Sequence, residues 1–362
     1  MKKIFVTFVF LFTFPFAFFV LPATNAWAND HFAHFTEEPV TIGPYYLQGI
    51  LTMPSKPYET PYHKTSYNYY NYNDYNDESP AVAILIWGTG QVNKDGAYSG
   101  TAMLRDLAHG LAQHGIASIR YNKRYYQHPP IPRNMTIQSE ILQDATYAIT
   151  KAYNNPLLGD VYVVGFSLGG ILAPTIAQKN AEKVVGLVSL AGSPRPAQEV
   201  IATQRYMIAY IAGLRGHEVS PQNVVDAVNI ATSLPPAIAP VVMERLMSNT
   251  GIDPYYFGFP ISYLFSLAAI DNTSVLEQLH IPMLILQGDE DLQISATYDF
   301  EAWKHALYGR ENVQFIMYQG LNHFFTPHLP QHGFFQGRQR ANMHEQVIVD
   351  IGEWIRESSG GK

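Results

Sequence analysis

The sequence predicts an α/β fold: a mostly parallel, doubly wound sheet with an inserted helical cap. Three observations predict it. Short, nearly continuous apolar runs recur along the chain, as strands buried on both faces require. Amphipathic stretches of helical spacing separate them. One interval between runs, from Gly192 to Pro282, is far longer than the dozen or so residues a crossover helix needs. With 362 residues, 47% hydrophobic and 15% charged, the chain has ample apolar surface for a large core.

The elements follow in chain order. Residues 1–28 carry Lys2 and Lys3, then an uncharged run from Ile4 to Leu21 with eight Phe, then Ala26-Trp27-Ala28, the small-x-small pattern of a signal-peptidase site. The expectation is an exported protein cleaved near Ala28. An uncleaved anchor is the alternative, since the run is about as long as a spanning helix, and Pro15 in its middle argues for cleavage.

Val40 to Met53 reads as two short strands punctuated by Gly43-Pro44 and closed by Pro54. A Tyr/Asn-rich tract at 58–77 has no apolar period and reads as an extended loop. Apolar runs then mark strands at Ala81 to Trp87, Ile116 to Tyr121, Val161 to Phe166, Val184 to Ala191, Met283 to Gln287 and Val313 to Tyr318. Helical patterns cover Thr101 to His114, Thr136 to Asn154, Ser167 to Lys179, Ser295 to Tyr308 and Ala341 to Glu357. The predicted organisation is a core in two parts, 29–192 and 283–362, with the helical cap inserted at 193–282.

Composition narrows the chemistry. The formal charge is −7, with 23 Lys plus Arg against 30 Asp plus Glu and no basic cluster to track a phosphate backbone, which argues against nucleic acid as a partner. Cysteine is absent, so disulfides, thiolate metal sites and a Cys nucleophile are excluded. His31 and His34 form only H-x-x-H, and there is neither H-E-x-x-H nor a nucleotide-type glycine loop, so no metal or cofactor is expected.

The strongest motif is Gly165-Phe166-Ser167-Leu168-Gly169, a G-x-S-x-G at the end of a buried strand and the start of a helix. In such an elbow the central residue is forced into a strained conformation and exposed above the sheet, and the flanking glycines avoid collisions a Cβ would cause. Ser167 is the candidate nucleophile. The N–H of Leu168, at the helix start, is placed to receive charge developing on a carbonyl oxygen.

A serine hydroxyl needs a base oriented by a third group. Gly288-Asp289-Glu290-Asp291 follows a buried strand and offers three acids; the G-x-x-D spacing selects Asp291, with Asp289 and Glu290 as alternatives. After the next strand, His323 is the candidate base, with His328 and His332 following on the same loop. Trp87-Gly88-Thr89-Gly90, directly after the first buried strand, is placed to supply the second oxyanion donor: Thr89 N–H, or Gly90 N–H in its stead.

Together these residues resemble the α/β-hydrolase superfamily, and more narrowly its bacterial esterases similar to dienelactone hydrolases and to serine peptidases of the prolyl-oligopeptidase type. The narrower resemblance rests on Gly88-Thr89-Gly90 followed by Asn93-Lys94-Asp95-Gly96, on Arg120-Tyr121-Asn122-Lys123-Arg124 and on Ala191-Gly192-Ser193-Pro194-Arg195-Pro196. Trp87 departs from it, standing where many members have His, and so does Tyr125, where Gly is common.

The resemblance implies acyl transfer to water through Ser167, His323 and Asp291, with Thr89 and Leu168 amides as the oxyanion hole and no cofactor. The apolar stretch Tyr255 to Phe265 of the cap points to a small-molecule ester with an apolar acyl group, and makes the cap the one place for membrane contact. Two alternatives stay open: an exported, aminopeptidase-like serine peptidase on the same fold, and a non-catalytic surface protein that binds through its Tyr/Asn tract.

Overall fold

The computed structural model describes residues 35–55, 79–98, 100–197, 199–200, 204, 255–256, 259–328 and 341–359. The expected export signal and the Tyr/Asn tract lie outside these residues, as does most of the expected cap.

The described residues build one eight-stranded sheet: β1 (Phe35–Ile42), β2 (Leu47–Pro54), β3 (Val82–Ile86), β4 (Ala117–Tyr121), β5 (Val161–Phe166), β6 (Val184–Leu190), β7 (Met283–Gly288) and β8 (Val313–Tyr318). Their order across the sheet is β1-β2-β4-β3-β5-β6-β7-β8. β1 and β2 form an antiparallel hairpin, and β2 meets β4 antiparallel, Gly49 opposite Tyr121. Every pairing from β4 to β8 is parallel. This is the doubly wound α/β-hydrolase sheet.

Beside a short helix at Arg124–Gln127, the longer helices among the described residues are α1 (Met103–Gln113), α2 (Gln143–Tyr153), α3 (Leu168–Lys179), α4 (Ile261–Ala268), α5 (Asn272–Gln278), α6 (Glu301–Ala306) and α7 (Glu345–Ser359). The two-residue period of the strands divides the core into two layers. From β3, Val82, Ile84 and Ile86 pack with residues of α2, α3, α5 and α6, while Ala83 and Leu85 pack with α1 and α7. α1 buries Met103, Leu104, Leu107, Ala108 and Leu111, the stripe that a one-sided helix requires. Each such aliphatic side chain contributes about 1.5–3 kcal/mol on burial.

Several elements depart from their expected bounds, each for a local reason. β1 begins at Phe35 rather than Val40, because Thr36, Glu37 and Glu38 lie on an exposed edge strand where no apolar pattern is needed. Pro39 is tolerated there for the same reason. Tyr46 sits in the hairpin turn at φ 51 rather than in a strand. The helices expected from Thr136 and Ser295 each open with a wide π-type turn, Gln138–Leu142 and Ala296–Phe300. α7 starts at Glu345 because the preceding backbone is drawn onto its neighbours: Met343 N–H donates to Asp106 and His344 N–H to the Phe325 carbonyl. Within the expected cap the described helices are α4 and α5.

α3 carries Pro174, which cannot donate to the Gly170 carbonyl four residues earlier. The Ser189 hydroxyl of β6 donates to that carbonyl instead, at 3.1 Å. The helix therefore stays packed against the sheet, and its first residue follows directly on Ser167.

Candidate active site

Ser167 stands between β5 and α3 with φ 55 and ψ −119, a left-handed conformation that costs a non-glycine residue of order 1–3 kcal/mol. The surrounding structure holds it there. Its N–H donates to the Leu190 carbonyl at 2.8 Å and its carbonyl accepts from Ile171 N–H at 2.9 Å. Gly165 is required one step before the turn: a Cβ there would collide with the Gly169 backbone. The serine motif is thus a packing solution that leaves the hydroxyl at the carboxyl end of the parallel strands.

His323 reaches that hydroxyl from the loop after β8. Its Nε2 lies 3.1 Å from Ser167 Oγ, and its Nδ1 lies 2.7 Å from Asp291 Oδ2. All three residues are buried. The ring is enclosed by aromatic side chains: Phe166, with centroids 5.0 Å apart, and Phe324, edge-on at 5.5 Å. Tyr98 stacks on Phe324 from outside, and Trp87 packs against both Phe166 and Phe324.

Asp291 is held from two sides. Its Oδ1 accepts from the N–H groups of Gln293 and Ile294 at 2.7 and 2.9 Å, and its Oδ2 accepts from Gln287 Nε2 at 2.9 Å as well as facing His323. The carboxylate is thereby oriented with one oxygen on the imidazole. The loop bearing His323 is organised by its neighbour Asn322. The Asn322 Oδ1 accepts from Phe324 N–H and the Thr326 hydroxyl, and its Nδ2 lies 2.8 Å from the Thr326 Oγ1.

Of the acids weighed for the role, the structure brings Asp291 into hydrogen-bond contact with His323. Asp289 turns its Oδ1 to Gly320 N–H at 2.6 Å, and the exposed Glu290 lies 4.0 Å from His328. His328 N–H donates to the Gly320 carbonyl at 2.8 Å, and His332 lies outside the described residues.

Leu168 is the first residue of α3, so its N–H has no intrahelical acceptor and is available to a substrate oxygen. Gly88 abuts the same point: a Cβ on it would come within 2.7 Å of Ser167 Cβ and 3.2 Å of Leu168 N. Thr89 follows immediately, exposed, with its carbonyl accepting from the Trp87 indole at 3.3 Å. Gly90 has φ +92 and open space around it.

Four residues near the site were given no role by the sequence reading, although Lys123 lies in one of its motifs. Gln287 is a polar residue ending an apolar strand, and Asn322 directly precedes the candidate base; both are signals of a local hydrogen-bonding task. Lys123 and Glu140 are more remote. Lys123 Nζ donates to the Gly88 carbonyl and to Glu140 Oε1, each at 2.7 Å, and Gln91 Nε2 donates to the same Glu140 oxygen at 2.8 Å. No periodicity links these positions.

The arrangement contains a nucleophile, a base within reach of it, an oriented acid, and the free backbone amide of Leu168 beside the Gly88–Thr89 backbone. That is the constellation acyl transfer requires.

The chain is similar to several known proteins. The family described as serine aminopeptidase, S33 (Hydrolase_4) matches residues 95–326, a stretch that includes Ser167, Asp291 and His323. Esterase EstD of Thermotoga maritima is 30% identical over 276 residues, which is 76% of this chain and 62% of that protein. The chain thus spans less than two thirds of the length of that relative. Among solved structures, Est1E from Butyrivibrio proteoclasticus superposes with a TM-score of 0.53 at 17% identity, covering 88% of this chain and 98% of that one. Est1E with ferulic acid bound gives a TM-score of 0.51 at 17% identity over 88% and 98% of the two chains. At that identity the likeness is one of fold.

Proposed function

The chain belongs to the serine aminopeptidase S33 family, and from that premise we propose that it is a carboxylic ester hydrolase working through Ser167, His323 and Asp291. The observation that carries this reading is the continuous line from Asp291 Oδ2 through His323 to Ser167 Oγ, at 2.7 and 3.1 Å. The relative named an esterase, at 30% identity, supports an ester rather than a peptide as substrate.

The chemistry follows from the geometry. Ser167 Oγ attacks the ester carbonyl carbon while His323 Nε2 takes its proton, and Asp291 holds the Nδ1–H tautomer and stabilises the imidazolium. The carbonyl oxygen, now negative, is received by the N–H groups of Leu168 and Thr89; removing one donor of this kind costs about 10²–10³ in kcat. Collapse of the tetrahedral intermediate expels the alkoxide, which His323 protonates, leaving Ser167 acylated. Water then repeats the sequence, releasing the acid and restoring the hydroxyl.

The substrate class is a small-molecule ester with an apolar acyl group, supported by the aromatic walls around His323, Phe166, Phe324 and Trp87. Any membrane contact belongs to the inserted segment; among the described residues no helix is long and apolar enough to cross a membrane. Export with cleavage near Ala28 is part of the proposal and rests on Lys2, Lys3, the apolar run and Ala26-Trp27-Ala28.

A peptidase on the same scaffold is favoured by the family's own description and stands as the second reading. Turnover of a chain-length series of p-nitrophenyl esters, beside Ser167→Ala and an aminoacyl p-nitroanilide, decides between them. Ester turnover lost in the variant is the expected result. Activity confined to the anilide would replace the esterase with the peptidase.

A further inference from the structure

We infer that Lys123 is a positioning residue for the oxyanion hole, holding the Gly88–Thr89 peptide so that the Thr89 N–H faces the carbonyl oxygen of a substrate bound at Ser167. The inference rests on the esterase reading above.

Lys123 is 5% exposed, and its Nζ lies 2.7 Å from both the Gly88 carbonyl and Glu140 Oε1. Withdrawing an ammonium and a carboxylate from water costs several kcal/mol per ion, so a buried pair of this kind is weak evidence for stability. Its geometric effect is specific, however. The Gly88 carbonyl and the Thr89 N–H belong to one planar peptide unit, in which a trans bond points the two groups in opposite directions. Fixing the carbonyl on the ammonium therefore fixes the direction of the N–H.

That direction matters because of where the peptide lies. The Gly88 backbone is packed against Ser167 and Leu168 N, so closely that a Cβ would not fit. The far side of the Thr89 residue is fixed too, by the Trp87 indole on its carbonyl. The rest of the loop is secured by the same segment: Lys123 N–H donates to the Val92 carbonyl at 3.2 Å, and Lys94 N–H to Asn122 Oδ1 at 2.7 Å.

Glu140, the counter-ion, also accepts from Gln91 and lies against Tyr263, a fully buried residue of α4. Glu140 thereby links the loop after β3, through Lys123 and Gln91, to α4.

A purely structural ion pair would affect stability and leave the transition state alone, and the test separates the two. We would compare wild type, Lys123→Met and Lys123→Met/Glu140→Gln by Tm, by kcat and KM on p-nitrophenyl butyrate, and by inhibition with an alkyl trifluoromethyl ketone, whose serine adduct places an oxyanion in the hole. The expected result is a fall in kcat of roughly 10- to 100-fold with KM within about twofold, and a matching loss of ketone affinity. The double variant, free of an unpaired buried charge, recovers Tm and keeps the kinetic loss. Should Lys123→Met fail to fold, the double variant alone decides. Recovery of kcat and ketone affinity together with Tm, or no loss of either, would overturn the inference while leaving the esterase in place. Absence of any Ser167-dependent ester turnover in the wild type would overturn both.

Discussion

The loops on the two sides of Ser167 are held in different ways. On the side of the acid and the base, the anchoring bonds are short in sequence and end on neutral groups: Asp291 on the amides of Gln293 and Ile294, Asn322 on Phe324 and Thr326. On the oxyanion side, the anchors are long-range and charged, with Lys123 reaching back to Gly88 and Glu140 reaching back to Gln91. The acid loop after β7 and the base loop after β8 are each braced largely within themselves, and Asp289 Oδ1 on Gly320 N–H joins the two. The oxyanion side acquires its shape only when β4, the turn at Gln138–Leu142 and the loop after β3 have come together.

This difference orders the expected effects of mutation. The largest belong to the acid and base side, where the groups act on the reacting atoms. His323→Ala lowers kcat by roughly 10⁵–10⁶-fold, the scale seen when a triad base is removed, and Asp291→Asn by about 10⁴-fold through loss of the correct tautomer. Steady-state kinetics on a p-nitrophenyl ester measures both. If Asp291→Asn were near wild type while Asp289→Asn was inactive, the assignment of the acid would be wrong.

Next comes Gln287→Leu, which removes one donor from the Asp291 carboxylate and leaves the rest of its partners. A hydrogen bond to a charged group is worth about 1.5–3 kcal/mol, so kcat falls by about tenfold or somewhat more with KM little changed. A change in KM alone would mean that Gln287 acts on substrate binding instead, and would blur the contrast between the loops.

Gly165→Ala sharpens the comparison through stability. A Cβ there meets the Gly169 backbone, with no flexible side chain to yield. Overpacking of this kind costs about 1–3 kcal/mol, read as a lowered urea midpoint with activity lost in parallel. Retained stability would mean that the elbow relaxes more freely than its packing indicates.

The smallest effect is a pH dependence on the oxyanion side of the molecule. Burial pushes the Asp144 carboxyl up to about 6, against the pull of the Arg124 guanidinium that binds it. A carboxyl whose folded value is raised contributes stability that is complete below the ordinary carboxylate range and is lost as pH rises through about 6. Asp144→Asn flattens this stretch of the stability curve, measurable by urea unfolding between pH 4 and 7, each pH chosen at about one-unit steps. An unchanged slope would assign it to another group.

The same contrast explains what was legible in the sequence. Ser167, Asp291 and His323 could be read because each sits in a local pattern at a strand end, and the structure brings those three side chains together. The buried runs of β3 to β7 were legible because both faces of those strands are covered. β1 was not, since its exposed residues from Thr36 to Glu38 carry no apolar signal. Lys123 was read only as part of a family-like motif and Glu140 only as part of a helix, because a buried ion pair has no period and its meaning lies in what it touches across the fold. The cap expected at 193–282 lies largely outside the described residues.

The central claim is that Ser167 becomes acylated by an ester. The most direct measurement is mass spectrometry of the protein quenched during turnover of a slowly deacylating p-nitrophenyl ester. The account predicts one acyl group per chain, mapped to the peptide holding Ser167, absent in Ser167→Ala and accumulating in step with a burst of p-nitrophenol. An acyl group on another residue, or turnover that continues in Ser167→Ala, would contradict it.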